Sequence, residues 1–175
     1  MLIVFAGLPG TGKTAIAREL ARRLGAAYLR IDSIEQAIRA SRIEGGAPDA
    51  PIYDEGYRAA YALADDNLPL GLTVIADSVN PLLITRHAWL TVARRANTPP
   101  LEVEVICSDP KEHQRRVECR VTDIPGLKLP TWREVQAREY HPWTRDRVQI
   151  DTAILTVEES VAKLQEIIQE MTGRK

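Results

Sequence analysis

Gly7-Leu8-Pro9-Gly10-Thr11-Gly12-Lys13-Thr14 fits the pattern G-x-x-x-x-G-K-[ST] at every fixed position. The chemistry that spacing serves is phosphate binding. Gly7, Gly10 and Gly12 permit backbone angles that a side chain forbids, so the chain can wrap an anion closely. Successive backbone N–H groups then converge on one point, with the partial positive charge of a helix N-terminus behind them. Lys13 would reach the β- and γ-phosphates, and the Thr14 hydroxyl would bind Mg²⁺. A Gly-rich turn that merely starts a structural helix is the alternative. Against it, Leu2 to Ala6 form an apolar run fit for a buried strand, and Ile16, Leu20 and Leu24 recur as on one helix face. Pattern, strand and helix agree on a site for a nucleoside triphosphate.

Two carboxylates and two arginines join this loop as candidates. Asp32 follows the second strand-like run and Asp77 the third, and open parallel sheets bind ligands at the carboxyl ends of their strands. Either could be only a helix cap, but Ser33 and Asn80 already stand where caps are needed. Arg116 and Arg120 are four apart and share a helix face. They precede the Pro/Gly loop Ile124-Pro125-Gly126-Leu127-Lys128-Leu129-Pro130, the layout of a lid over about residues 110–140. A solvated charged face, helped by Glu112 and Glu118, would look the same.

The elements that must position these residues alternate along the chain. Gly25 stops the first helix, and Ala27 to Ile31 reads as strand two. Ser33, with Gln36 three residues on, predicts a capping box and a short helix. Gly45-Gly46-Ala47-Pro48-Asp49 reads as a mobile loop, and a helix is expected from about Ile52 to Asn67, ended by Pro69 and Gly71. Leu72 to Ala76 is strand three. Asn80 and Pro81 have the order of an N-cap and first helical residue, opening a helix to about Asn97. In strand four Leu101, Val103 and Val105 alternate with Glu102 and Glu104, which predicts one wet face at its start. Asp109-Pro110 opens a basic helix to about Asp123, and Thr131 with Glu134 boxes the next. Val148 to Ile150 is strand five. Thr156 with Glu159 caps a last helix with the stripe Val157, Val161, Leu164, Ile167, Ile168 and Met171. Strands alternating with helices give an α/β fold, a parallel sheet covered on both faces in three layers.

At 175 residues we expect one domain, residues 1–175. A net charge of −1 gives no global pull toward nucleic acid or membrane. The basic residues are mostly Arg, which suits phosphate handling, though a GC-rich genome gives the same bias. Cys107 and Cys119 lack C-x-x-C spacing and read as reduced thiols. His87, His113 and His141 make no metal-ligand pattern. The apolar start lacks a basic lead, and no apolar run has the length of a membrane span, so a cytoplasmic location is expected.

With these residues in hand, the chain resembles the small P-loop kinases, a family that includes phage-type polynucleotide 5′-kinase, chloramphenicol phosphotransferase and zeta-toxin-like kinases. Carrying the resemblance are Gly7 to Thr14, then Arg30-Ile31-Asp32-Ser33, then Val74 to Asn80, then Arg116-x-x-x-Arg120, which together span about residues 1–140. It implies a P-loop NTPase domain with a five-stranded parallel sheet in the order 2-3-1-4-5 and an Arg-bearing lid. It also implies ATP and Mg²⁺ as cofactors. Lys13, Asp32, Arg116 and Arg120 become the catalytic set, with Asp32 the general base for the acceptor hydroxyl. Thr14 and Asp77 become metal residues, and Asp32, Asp77 and Asn80 are assigned to the substrate. One departure matters: the polynucleotide kinase has a phosphate-gripping Arg three residues after its catalytic Asp, where this chain has Glu35. The expectation is therefore an ATP-dependent kinase acting on a hydroxyl of a small molecule. A polynucleotide 5′-hydroxyl kinase and a nucleotide-binding switch or ATPase module are the alternatives.

Overall fold

Strand β1 (Leu2–Ala6) is buried on both faces along its whole length, and that places it at the centre of the sheet. Around it stand β2 (Ala27–Arg30), β3 (Val74–Asp77), β4 (Pro100–Ile106) and β5 (Val148–Asp151). All pairings are parallel, in the order β2-β3-β1-β4-β5, as expected from the sequence. This computed structural model describes residues 1–47 and 51–173. Pro48 and Asp49, the end of the expected loop after Gly45, lie outside the described residues.

Side chains alternate across a strand, so successive residues of β1 feed two cores. Ile3 and Phe5 pack with Ile75, Val105 and Ile150 under two helices, α1 (Lys13–Leu24) and, at the far end of the chain, Val157–Thr172. Leu2 and Val4 face the other way, against Leu29, Ala60, Ala64, Trp89 and Val92. The helices on that side are Glu55–Asn67 and Leu83–Arg95, with Ile31–Glu44 beside them. In chain order the helices after α1 are α2 (Ile31–Glu44), α3 (Glu55–Asn67), α4 (Leu83–Arg95), α5 (Pro110–Cys119), α6 (Trp132–Gln136) and α7 (Val157–Thr172). A truncation such as Leu164→Ala, at a fully buried position of α7, would cost about 2–5 kcal/mol.

Several local expectations hold. Gly25 ends α1 with a left-handed φ of 60°. Both capping boxes, Thr131 with Glu134 and Thr156 with Glu159, are formed. Along α7 the middle of the stripe is buried, while Val157 and Met171 at its ends are exposed.

Others are corrected. Ser33 and Gln36 form no cap, because α2 begins at Ile31 and Ser33 lies in its first turn. Asn80 is not an N-cap either: α4 begins at Leu83, and Asn80 adopts a left-handed φ of 49°. Asn is one of the few side chains that tolerates that region, so its value here is a turn. α3 starts three residues later than expected, and α5 stops at Cys119, short of Asp123.

The largest correction concerns β4. Glu102 and Glu104 are buried, not wet. Arg145 donates to Glu102 Oε1 at 2.6 Å, and Arg147 Nε and Gln149 Nε2 donate to Glu104 Oε2 at 2.9 and 3.0 Å. Trp143 lies among these residues, with the Arg86 guanidinium 4.0 Å from its ring centroid. Alternation tells which face is polar, but not whether water or an arginine meets it.

Candidate functional site

The phosphate loop is built as a hollow lined by backbone. Gly7, Gly10 and Gly12 all have positive φ, at 141°, 87° and 90°. A Cβ on Gly7 would stand 2.2 Å from Val105 O, and one on Gly10 would stand 2.5 Å from Val117 Cγ2. Glycine is thus required by close approach as well as by backbone angle. Behind the loop, His113 Nε2 donates to Pro9 O at 2.9 Å and Thr152 Oγ1 donates to Thr11 O at 2.8 Å. Gly7 N donates to Val79 O at 3.1 Å, tying the loop to the segment after β3. No described side chain caps the start of α1 and no acidic residue stands in its first turn, so no side chain competes with an anion for the first N–H groups of the helix, although Ala15 N and Ile16 N already donate to Gly12 O.

Lys13 is only 8% exposed. Burial lowers its pKa, while Asp77 and Asp32 act in the opposite direction. Both carboxylates are therefore close enough for Lys13 to feel their charge. Thr14 lines a cleft of about 810 Å³ that also meets Asp32, Glu35, Arg116, Arg120 and Arg138.

Asp77 ends β3 and is 2% exposed. Tyr28 Oη donates to its Oδ2 at 2.7 Å, and its Oδ1 has no hydrogen-bond partner among the described residues. Asn80 sits differently from its expected role on the substrate. It is fully buried, its backbone N donates to Tyr57 Oη at 3.2 Å, and its carboxamide is not among the residues lining the cleft. Thr14, open to the cleft, and Asp77 Oδ1, unpartnered beside Lys13, are hard oxygen donors of the kind Mg²⁺ takes together with phosphates.

Arg116 and Arg120 part company. Arg116 is held: Nε donates to Glu112 at 2.7 Å, Nη1 to Thr152 Oγ1 at 2.7 Å, and Nη2 to Thr152 O at 3.0 Å. Through Thr152 it braces the phosphate loop. Arg120 follows the last residue of α5, with no carboxylate bonded to it among the described residues and with Nε buried and unpartnered among them. Its pKa is lowered by burial, with Asp32 opposing and Arg138 adding to the shift.

Sequence reasoning missed the tether of this region. Asp123 accepts from Arg18 Nη2 at 2.5 Å and from Arg30 Nη1 at 2.8 Å, which hold its carboxyl down at about 2. It thereby ties the segment after α5 to α1 and to the end of β2, two residues before Asp32. Arg138 was missed as well, since a lone Arg after a short helix carries no pattern.

The family model AAA_33, an AAA domain, matches residues 2–142. No curated protein sequence matches the chain. Among solved structures it is similar to Kti12 of Chaetomium thermophilum in complex with ADP-AlF3, at 23% identity and a TM-score of 0.64, over 95% of this chain and 98% of that one. It is also similar to the APS kinase CysC of Mycobacterium tuberculosis in complex with AMPPNP and APS, at 16% identity and 0.67, over 96% of each chain. A gluconokinase from Sinorhizobium meliloti 1021 matches at 17% and 0.62, over 99% of this chain and 96% of that one. At these identities the likeness is one of fold alone.

Proposed function

The chain belongs to the AAA_33 family of AAA domains, and from that footing we propose that it is an ATP-dependent kinase whose acceptor is a hydroxyl of a small molecule. One observation carries the reading. A carboxylate, Asp32, shares a cleft with the phosphate loop and stands close enough to Lys13 and Arg120 to influence the charge of both. An ATPase module also uses a polar group to orient its attacking water, so what favours a kinase is that Asp32 lines a cleft of about 810 Å³ that continues past the loop to Glu35, Leu127 and Arg138, where an acceptor larger than water can lie. The neighbouring structures that hold AMPPNP with APS, or ADP-AlF3, support nucleotide binding in this fold.

In the proposed reaction the acceptor oxygen bonds to the γ-phosphorus as the bond from that phosphorus to the β–γ bridging oxygen breaks. The electron pair leaves on ADP, and the acceptor's proton passes to Asp32. Little of this needs covalent help from the protein; positioning and charge neutralisation do the work. Loop N–H groups and Lys13 hold the β- and γ-phosphates. Thr14, with Asp77 beside Lys13, would hold Mg²⁺, which supplies charge neutralisation to the phosphates when bound. Arg120 meets the transferring group as its charge spreads. Arg116 keeps a place in the catalytic set as the brace of the loop. Asn80 acts on substrate only through the turn it makes.

Residues 1–175 would act as one kinase domain, with about 110–140 as its lid. Among the described residues no helix is long and apolar enough to cross a membrane, and a cytoplasmic location fits the need for ATP. The decisive experiment incubates the protein with γ-labelled ATP and sugars, nucleosides, aminoglycoside- and phenicol-like antibiotics, and 5′-hydroxyl oligonucleotides. Label on a small acceptor is the expected result, and release of inorganic phosphate alone would overturn it.

A further inference from the structure

We propose that Glu35 selects the acceptor, and that the acceptor is an uncharged or amine-bearing polyhydroxyl compound and not a phosphorylated or carboxylated one. This rests on the kinase reading above and adds to it the chemical class of the substrate.

Glu35 lies three residues after Asp32 on α2, so the two carboxylates share a helix face, and both line the cleft. The position of Glu35 is set by its neighbour. A Cβ on Gly56 of α3 would come within 2.3 Å of Glu35 Cγ, so the side chain lies directly against the α3 backbone. Its carboxylate is half-buried and makes no hydrogen bond or ion pair with any described residue. Burial and the charge of Asp32 push its pKa up, and Arg39 and Arg138 offset this only in part. Its oxygens open on the cleft and are not among the buried polar atoms, so solvent meets them there. Hydroxyl or ammonium donors of a second substrate can replace that solvent, whereas a phosphate or carboxylate offers no donor.

The cations that act on Glu35 itself are Arg39 and Arg138. Arg18 and Arg30 share the one carboxylate of Asp123, and Arg115 and Arg116 share that of Glu112. Lys13 and Arg120 serve the triphosphate. Arg138 and Lys128 remain, but both are exposed, where solvent and salt weaken their pull. A phosphorylated acceptor seated against Glu35 would bring its charge toward two carboxylates, and the cations that act there, Arg39 and Arg138, are both exposed. A polyol would instead satisfy Glu35 with one or two O–H donors while a further hydroxyl faces Asp32.

The test uses matched pairs on the full chain loaded with Mg²⁺ and AMPPNP: ribose against ribose 5-phosphate, glucosamine against glucosamine 6-phosphate, and uridine against uridine 5′-monophosphate. Calorimetry should show at least one neutral or amine-bearing member binding about tenfold or more tightly than its phosphorylated partner, the scale of a lost charged hydrogen bond plus repulsion. Glu35→Gln should weaken that binding about tenfold while AMPPNP affinity stays unchanged, which also reports an intact fold. Glu35→Arg should turn the preference toward the phosphorylated member. Preference for the phosphorylated member by the unaltered chain, binding of neither member in every pair, or no effect of Glu35→Gln would each overturn the proposal. Transfer from γ-labelled ATP is measured on the same pairs. Selective, Glu35-dependent binding without transfer would sink the kinase reading and leave the role of Glu35 standing.

Discussion

Tyr28 Oη donates a 2.7 Å hydrogen bond to Asp77 Oδ2 between the neighbouring strands β2 and β3. Burial and the adjacent carboxylate push the Tyr28 hydroxyl pKa far up, so at neutral pH it stays a donor. With one oxygen of Asp77 held, the other, Oδ1, has a fixed direction and no internal partner. Partners of this kind commonly set metal affinity by about 10–100-fold. Tyr28→Phe should therefore weaken Mg²⁺ binding to the ADP-loaded protein within that range, with little effect on ADP alone. Titrating Mg²⁺ calorimetrically would decide it. An unchanged Mg²⁺ affinity would reduce Tyr28 to a packing residue.

Lys13 offers a test in which stability and function move in opposite directions. Burial lowers its pKa below the unfolded value, with Asp77 and Asp32 opposing, so folding of the apoprotein disfavours the charged form relative to the unfolded chain. That penalty is present below the folded pKa and disappears as pH rises through the unfolded one. Lys13→Met should therefore melt higher than the unaltered apoprotein at pH 7, by roughly 2–4 °C if about 1 kcal/mol is relieved. Mg·ATP should raise the melting point of the unaltered chain and leave the variant unmoved. A variant that melted lower and still responded to ATP would place the phosphate elsewhere.

For Asp32, binding and chemistry separate. Asn keeps the size and one acceptor oxygen but takes no proton in this range. Asp32→Asn should keep nucleotide affinity and slow transfer by about 10²–10⁴-fold, as expected for a positioned general base. Titration of ATP beside steady-state rates measures both. Equal losses in the two would make Asp32 a nucleotide or metal residue.

The sequence revealed the centre of this molecule better than its edges, for a physical reason. Strand β1, the loop and α1 are adjacent in the chain, so their pattern is local and complete. The sheet order came from the resemblance of spaced blocks and holds. What stayed hidden are pairings that span long stretches of chain: Asp123 with Arg18 and Arg30, Tyr28 with Asp77, and the arginines that cover Glu102 and Glu104. Ser33 and Asn80 misled because a cap is read from residue type, while the true start of a helix depends on where the strand before it ends. The strands stop at Arg30 and Asp77, one starting α2 at once and the other opening a turn.

Arg116 lies on α5 while Arg120 follows its last residue in an extended conformation, and the two should fail differently. Removing Arg116 breaks three bonds, to Glu112 and to both oxygens of Thr152, which in turn holds Thr11 O. Arg116→Ala should lower the melting temperature and weaken ATP binding together. Arg120 has no such bonds, and burial makes its charge costly until a phosphoryl group arrives. Arg120→Ala should leave ATP affinity nearly intact and cut turnover by about 10²–10³-fold, the usual loss for one group aimed at developing charge. Thermal melts and full kinetics on both variants would settle the division. Similar losses of stability in the two would mean that Arg120 is also structural.

Salt dependence separates a small acceptor from a nucleic acid. A nucleic-acid kinase gains affinity by releasing counterions from several phosphates, so its binding falls steeply as salt rises. Between Lys111 and Arg147 basic residues outnumber acidic ones, which in the sequence alone reads as a local surplus. The structure spends much of it internally: Arg115 and Arg116 pair with Glu112, Arg145 with Glu102, and Arg147 with Glu104. Glu35 adds a second carboxylate beside Asp32 to the lining of the cleft. Transfer to the best small acceptor should therefore change by less than about threefold between 50 and 200 mM salt, where a protein making many phosphate contacts loses about 10³–10⁵ in affinity. A 5′-hydroxyl oligonucleotide should be a poor acceptor at both concentrations, and lengthening it should not help. Efficient, salt-sensitive labelling that improves with oligonucleotide length would replace the small acceptor with a polynucleotide end.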